Sequence, residues 1–340
     1  MAPNTAVGPG TGWQERYMGG SQEAEQSLFA TVFPRVDAIQ EHVARTQGAE
    51  VRRAFHNKGV ALSVEFEVAA DLPEHLRVGF LRPGATYRGI GRFSRSQSLH
   101  GSDGDLDQRG FAFRLETDEG PQDILLSNTP TSFAPDPVMF LRVATIFARS
   151  SRLLAPVRIM RAVGIRRGIR VLLNVLNAPD RAVAFTSQRY WSRTPFQFGA
   201  AAARLFVRPT SPPRRVRTTD DPDYLTTDLR NDLREHARSF ELAAQLFVDE
   251  RQTPIEDSNR AWLETVARPV VLGTVTIPAQ DLDGAEGRDL ADRIERSETF
   301  NPWNTPCLRP LGRTNRARLE AYNRSAAKRG ARVTTGEVSP

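Results

Sequence analysis

From Leu62 to Leu126 the chain is a run of short apolar alternations with no helical period between them. Leu62, Val64, Phe66 and Val68 alternate with Ser63, Glu65 and Glu67, which is the period-2 signature of a half-buried strand. Arg77–Leu81, Thr86–Phe93, Gly110–Glu116 and Asp123–Leu126 read as further strands, with Phe111, Phe113 and Leu115 in phase. Gly, Pro and Asp punctuate them at hairpin-like intervals. Parallel pairing would need long, usually helical, crossovers. This stretch therefore predicts antiparallel β structure.

Around it the period changes. Glu23–Gln47 carries a helical pattern through Leu28, Phe29, Val32, Phe33, Val36 and Ile39, interrupted by Pro34. Residues 138–177 are apolar and hold eight arginines, with no acidic residue between Asp136 and Asp180. Ala201–Arg208, Phe240–Val248 and Val270–Ile277 read as strands, and Tyr224–His236, Asp281–Ser297 and Thr314–Arg329 as helices. The sum is an α+β chain, a β-barrel or strongly curved sheet with helices around it. No linker divides it. Residues 1–20, rich in Gly and Pro, and 331–340 are expected to be mobile ends, leaving one domain over 21–330.

Composition narrows the function classes. An apolar fraction of 39% and a charged fraction of 25% suit a soluble globular protein. No apolar run approaches the roughly 18 residues of a membrane span. The N-terminus has neither the basic start nor the apolar core of a secretory signal. Cys307 is the only cysteine, which excludes an internal disulfide, a thiolate zinc cage and an iron–sulfur cluster. A cytoplasmic place is expected. The net charge of +6 suits acidic surfaces or ligands but is modest for 340 residues.

Few residues invite chemistry by themselves. None of the five histidines, His42, His56, His75, His100 and His236, has metal-ligand spacing with another. His56 stands in R-R-A-F-H-N-K-G at the entry to the first strong strand, where a strand-end histidine bonded to backbone is the favoured reading of the residue by itself. Asn128 precedes Thr129–Pro130, a common turn. Arg318 and Tyr322, four apart, share one face of a predicted helix. Such a pair can be a solvated face, or a guanidinium holding a phenol as its anion.

Taken in order, the motifs say more. R-x-x-H-x-K-G at Arg53–Gly59, R-F-S at Arg92–Ser94, R-G-F-A at Arg109–Ala112, N-T-P-x-x-F-x-x-D-P at Asn128–Pro137 and R-L-x-A-Y at Arg318–Tyr322 together resemble the haem catalase superfamily. The stretch F-T-S-Q-R-Y-W-S-R-T-P-F-Q-F-G, residues 185–199, also resembles a segment of short members. The match runs from about Arg53 to Arg329. Because the chain ends soon after Tyr322, it is most similar to the minimal catalase-related haem peroxidases.

That resemblance implies a catalase-like antiparallel β-barrel core with surrounding helices, and haem b with ferric iron as cofactor. His56 would be the distal histidine, Asn128 the distal asparagine, and Ser94 the serine bonded to the histidine. Tyr322 would be the proximal iron ligand, with Arg318 beside it. Arg53, Arg92 and Arg329 would bind the haem propionates, Phe133 would line the distal pocket, and Asp107 the substrate channel. Elementary chemistry agrees. Ionising a phenol at neutral pH, from an ordinary pKa near 10, takes about 4 kcal/mol at about 1.36 per unit. Ferric iron and a neighbouring Arg supply this together. Arg binds carboxylates bidentately. A neutral imidazole can take a proton from one peroxide oxygen and return it to the other. An amide can donate to bound peroxide without titrating.

Phe55 and Asn57 flank His56 where the family has a small β-branched residue and alanine, and Asn323 follows Tyr322 where it has proline. These departures favour a reshaped distal pocket. The expected reaction is reduction of hydrogen peroxide or an organic hydroperoxide, with an external electron donor. A lipid hydroperoxide isomerase or dehydratase of the allene oxide synthase type is the alternative, needing no donor. Residues 138–177 then become a basic amphipathic contact with a membrane, or else helices packed on the barrel with a solvated face. A non-enzymatic basic module, the third class, predicts a colourless protein. Nucleic acid is not expected as a partner, and a homo-oligomer, at smallest a dimer, is left open.

Overall fold

The computed structural model describes residues 9–48, 53–105, 107–151, 153–176 and 180–336. The first eight residues of the 1–20 segment and the last four of the 331–340 tail therefore lie outside the described residues. Eight strands close a barrel in chain order: β1 Gly59–Val68, β2 Thr86–Arg95, β3 Arg109–Thr117, β4 Gly120–Ser127, β5 Tyr190–Phe198, β6 Ala201–Pro209, β7 Arg238–Leu246 and β8 Pro269–Ile277. Every pairing is antiparallel, and β1 pairs with both β2 and β8. Five of the eight seams are continuous ladders, those of β5 with β6 and of β7 with β8 each carry one register shift, and β4 and β5 share a single registered pair, Ser127 with Trp191.

The barrel is filled. Inward residues of β1 such as Leu62, Val64 and Phe66 are buried, as their alternation predicts. Phe93 and Phe111 stack at 4.4 Å, and Phe185, Tyr190 and Phe240 complete the aromatic layer. An eight-stranded barrel has room for packed side chains or one small ligand, and here side chains fill it. Any sizeable ligand must therefore bind outside it.

Helices supply that outside. They are α1 Gln22–Ala30, α2 Pro34–Gln47, α3 Pro137–Arg149, α4 Ala155–Val163, α5 Ile165–Leu176, α6 Tyr224–Glu235, α7 Ala285–Arg296 and α8 Arg313–Lys328. The single pattern over Glu23–Gln47 is two helices, since Pro34 opens α2 where its missing N–H costs nothing. Residues 138–177 form α3 to α5, the insertion between β4 and β5. Phe29, Val36, Ile39, Leu141, Ala144 and Ala317 are buried together, which ties α2 and α3 to α8. Among the described residues, no helix is long and apolar enough to cross a membrane.

Two expectations need correcting. Arg77–Leu81 is not a strand: Gly79 has φ +54°, and Leu81 N–H closes a turn on Val78 O at 3.1 Å. Its apolar residues are there to bury Phe80 and Leu81 against the barrel core. Strand β5 lies where no strand was expected, because Pro195 interrupts its alternation. The pairing with β6 shifts register between Trp191 and Pro195, which absorbs the proline.

Candidate functional site

A cavity of about 1130 Å³ lies between the barrel wall and the helices. That exceeds the roughly 300–1,000 Å³ of ordinary small-molecule pockets, so it can take a large flat ligand. Its walls carry His56, Ser94, Arg53, Arg92, Phe133 and Asp107, and α8 contributes Arg318, Tyr322 and Arg329. Ten candidate residues were read from the sequence. Nine of them line this one space, and Asn128 does not.

His56 enters from the loop before β1 with φ +59°, a left-handed conformation uncommon for a residue with a side chain. Asn57 braces that turn. Its Oδ1 accepts from Arg53 N–H at 2.8 Å, and its Nδ2 donates to Arg53 O and Ser98 O, each at 2.7 Å. The unusual Asn57 is thus buried in the scaffold and turned away from the cavity. The His56 Nδ1 lies 2.9 Å from Ser94 Oγ. When Nδ1–H donates to that oxygen, Nε2 keeps a lone pair. Burial, then the charges of Arg92, Arg193, Arg318 and Arg53, push the His56 pKa down to about 3, so the ring is neutral at ordinary pH. Phe55, edge-on to Phe140, and Phe133, stacked on Phe140 at 4.8 Å, make this side apolar.

Gly110 completes the arrangement and was missed from the sequence. A Cβ there would lie 2.9 Å from Ser94 Oγ and 3.1 Å from His56 Cε1. Only glycine leaves space for the pair. Its register opposite Ser94 across β2 and β3 is the clue, and that register is not visible without pairing.

On the opposite wall, α8 presents Tyr322, whose hydroxyl makes no hydrogen bond among the described residues. The Arg318 Cζ lies 5.9 Å from the Tyr322 ring centroid, and its Nη1 donates to Thr194 Oγ1 and Asn315 Oδ1, each at 3.3 Å. Charge pairing anchors the helix. Arg316 is bound by Glu15, Glu25 and Glu256, and the backbone N–H of Arg313 donates to Glu256 at 2.6 Å.

Arg53 and Arg92 converge on the Glu295 carboxylate, and Arg329 donates to the neighbouring Glu298 O at 3.0 Å. Burial and then the charge of Arg92 lower the Arg53 pKa to about 9. Burial alone would raise the Glu295 carboxyl, but Arg92 and Arg53 outweigh it and hold it below its ordinary value. Arg53 and Arg92 share this one carboxylate, so these three residues keep a charge of +1. With Arg329 on the same cavity, the cluster suits a ligand that carries carboxylates. Glu295 was not anticipated, since nothing marks one carboxylate among the polar residues of an amphipathic helix.

Asp107 is buried beside Arg95 Nε at 3.3 Å, and burial raises its carboxyl against that charge and the Ser96 hydroxyl. Asn128 stands behind the wall. Its Oδ1 accepts from Arg109 N–H at 2.8 Å, and its Nδ2 donates to Gln188 Oε1 at 2.7 Å. Among the described residues, no group of three His, Cys, Asp or Glu side chains could hold a metal ion. Iron here would depend on a macrocycle and a phenol rather than on a protein cage.

Comparison with known proteins agrees with this geometry. A family model described as catalase matches residues 36–153. The catalase of Streptomyces coelicolor is 37% identical over 90 residues, 26% of this chain and 18% of that one. The peroxisomal catalase of Pichia angusta is 37% identical over 115 residues, 33% of this chain and 22% of that one. The chain thus matches only a small share of these relatives' length. Among solved structures, catalase A from Saccharomyces cerevisiae superposes with a TM-score of 0.69 at 17% identity, covering 93% of this chain and 67% of that one. A fungal catalase gives 0.67, also at 17% identity, covering 93% and 65%. At that identity the structural likeness is one of fold.

Proposed function

Because the chain belongs to the catalase superfamily, we propose that it is a haem-dependent peroxidase or catalase-like oxidoreductase acting on hydrogen peroxide or organic hydroperoxides. The observation that carries this reading is that one cavity receives the His56–Ser94 pair, the Tyr322 phenol, which makes no hydrogen bond among the described residues, and the arginines Arg53, Arg92 and Arg329.

In this reading haem b lies in the cavity. Tyr322 is the ligand of its ferric iron, Arg53, Arg92 and Arg329 hold the propionates, and Phe133 lines the distal side. Bound haem supplies the redox chemistry that cleaves the O–O bond. The chain's own residues do the rest. Arg318 offsets the charge of the Tyr322 phenolate. Through Nε2, His56 takes a proton from one peroxide oxygen and returns it to the other, while Ser94 holds its ring and tautomer. Phe55, Phe133 and Phe140 exclude water from that exchange. An external electron donor, a cytoplasmic place and a homo-dimer belong to the proposal.

One optical spectrum tests it. The purified protein shows a haem Soret band that changes on adding peroxide; a colourless protein that takes up no haem overturns the reading. Tyr322→Phe loses or greatly weakens haem binding, and full loading with an unchanged spectrum removes Tyr322 as ligand. His56→Ala keeps haem but loses peroxide reactivity, and a wild-type rate of reaction removes His56 as base.

A second reading, the lipid hydroperoxide isomerase or dehydratase, is favoured by α3 to α5. Ile165, Ile169 and Leu173 form an outward stripe on α5, 67%, 47% and 54% exposed. Arg158, Arg161, Arg166, Arg167 and Arg170 surround it without a carboxylate partner among the described residues. These helices also line the cavity through Phe147, Ala155, Pro156 and Leu172. An acyl chain could pass from an anionic membrane surface into the site there. Stoichiometric loss of a fatty-acid hydroperoxide without reductant selects this reading, and strict dependence on a donor selects the first.

A further inference from the structure

The cavity wall carries a cation with no part in the proposed reaction. Arg193 sits in β5 within the register shift between Trp191 and Pro195, with φ +61°. That left-handed backbone is unfavourable for a residue with a side chain, and bulges characteristically re-aim side chains. Here the turn puts the guanidinium on the cavity wall. Its Nε donates to Thr129 O at 3.1 Å, and its Nη2 to Gln108 Oε1 at 2.7 Å and to the hydroxyls of Ser127 and Thr129. All these partners are neutral. Nη1 makes no hydrogen bond among the described residues, and no carboxylate pairs with the group.

An uncompensated, desolvated cation is unfavourable unless an anion joins it. Burial and the neighbouring charge of Arg318 lower the Arg193 pKa to about 9, while Tyr322 opposes them. The same charge reaches His56. Beside that histidine the expected amide is absent, because Asn128 spends its carbonyl on Arg109 and its amino group on Gln188. Turning Asn128 inward would leave the Arg109 N–H unpaired in a buried place, which is unfavourable.

We propose that Arg193, not Asn128, is the donor on the wall of the cavity that also receives His56, and that it forms an anion site for the anionic oxygen of a bound hydroperoxide or a similar small anion. This rests on the haem reading above for its substrate, but not for its anion site. Against a neutral amide, a guanidinium stabilises an oxyanion by charge as well as by hydrogen bonding.

The test compares wild type, Arg193→Gln and Arg193→Lys in two measurements, with thermal melting to verify that each variant is folded. Formate binding to the purified protein, by calorimetry, needs no haem. Fluoride titration of the haem-loaded protein is read in the visible spectrum. Arg193→Gln weakens both anions at least about tenfold, the worth of one charge-assisted hydrogen bond, and Arg193→Lys recovers part of the loss. Arg193→Gln also moves the acid limb of the peroxide reaction to higher pH, since a positive charge near His56 is gone. If folded Arg193→Gln binds formate within twofold of wild type, the anion site is refuted whatever the haem content. If wild type takes up no haem but loses formate binding with Arg193→Gln, the anion site stands and the haem reading falls.

Discussion

Gly110→Ala is the sharpest probe of the distal geometry because it adds one methyl group and no charge. The new Cβ would lie 2.9 Å from Ser94 Oγ, which must shift, and 3.1 Å from His56 Cε1, which must give by a few tenths of an ångström. The His56–Ser94 hydrogen bond, now 2.9 Å, must open. Losing a neutral hydrogen bond costs about 0.5–1.5 kcal/mol, and stranding a buried hydroxyl adds about 1 kcal/mol or more. A loss of about 1.5–3 kcal/mol in the step that needs an oriented imidazole slows peroxide reaction about 10- to 100-fold. Haem loading holds, since the nearest atoms to the added methyl belong to Ser94 and His56 and not to the arginine cluster or Tyr322. The assay is stopped-flow mixing with peroxide for Gly110→Ala, Ser94→Ala and the double variant. Both single changes break the same bond, so the double variant should be no slower than the worse single one, within about 0.5 kcal/mol. Fully additive losses would show that the methyl acts elsewhere, and a wild-type rate for Gly110→Ala would refute the steric argument.

Other consequences can be measured separately. His56 has a folded pKa near 3 against about 6.5 unfolded, so the unfolded chain binds the extra proton between those values. The stability this neutral ring contributes is complete above pH 6.5 and is lost as pH falls toward 3; His56→Gln should flatten that part of a melting-temperature profile, and an unchanged slope would contradict it. Glu295→Gln removes the carboxylate between Arg53 and Arg92. Because its side chain is 46% exposed, the haem-free protein should lose only about 1 kcal/mol, and added haem should restore the melting temperature; a loss that haem does not repair would separate the cluster from the propionates. Arg316→Met leaves Glu15, Glu25 and Glu256 without their shared partner and should cost about 3–5 kcal/mol in a denaturant titration. A cost below 1 kcal/mol would show that α8 is anchored mainly by its apolar face.

What could be read from the chain, and what could not, follows from how each feature is encoded. Strand β1 announces itself because it alternates cleanly against a filled interior, and β3 by the phase of Phe111, Phe113 and Leu115, whereas β2 and β4 bury residues in unbroken runs. Strand β5 hides behind Pro195 and the left-handed Arg193, the features that re-aim it toward the cavity. Arg77–Leu81 has the apolar content of a strand but also a turn glycine, and content alone misleads. Motif order anticipated residues that end up on one cavity although Arg53 and Arg329 lie far apart in the chain. It did not anticipate Glu295, Gly110 or Arg193, whose importance comes from what stands opposite them in space. Asn128 shows the converse: its motif is intact, but the direction of its amide depends on Arg109 and Gln188, which the motif does not contain.

The single registered pair between β4 and β5 bears on how such a protein can diversify. Any segment entering the barrel through a continuous ladder must keep its register or break the sheet. The segment between Ser127 and Tyr190 is free of that restriction, and the entropic cost of lengthening a loop grows only slowly. His56, Ser94 and Tyr322 are carried by elements that do not pass through it. The barrel with the walls that carry these residues is therefore one inheritable part and the α3 to α5 cover another. Exchanging the cover between relatives should change which molecules gain entry while leaving the reacting groups in place.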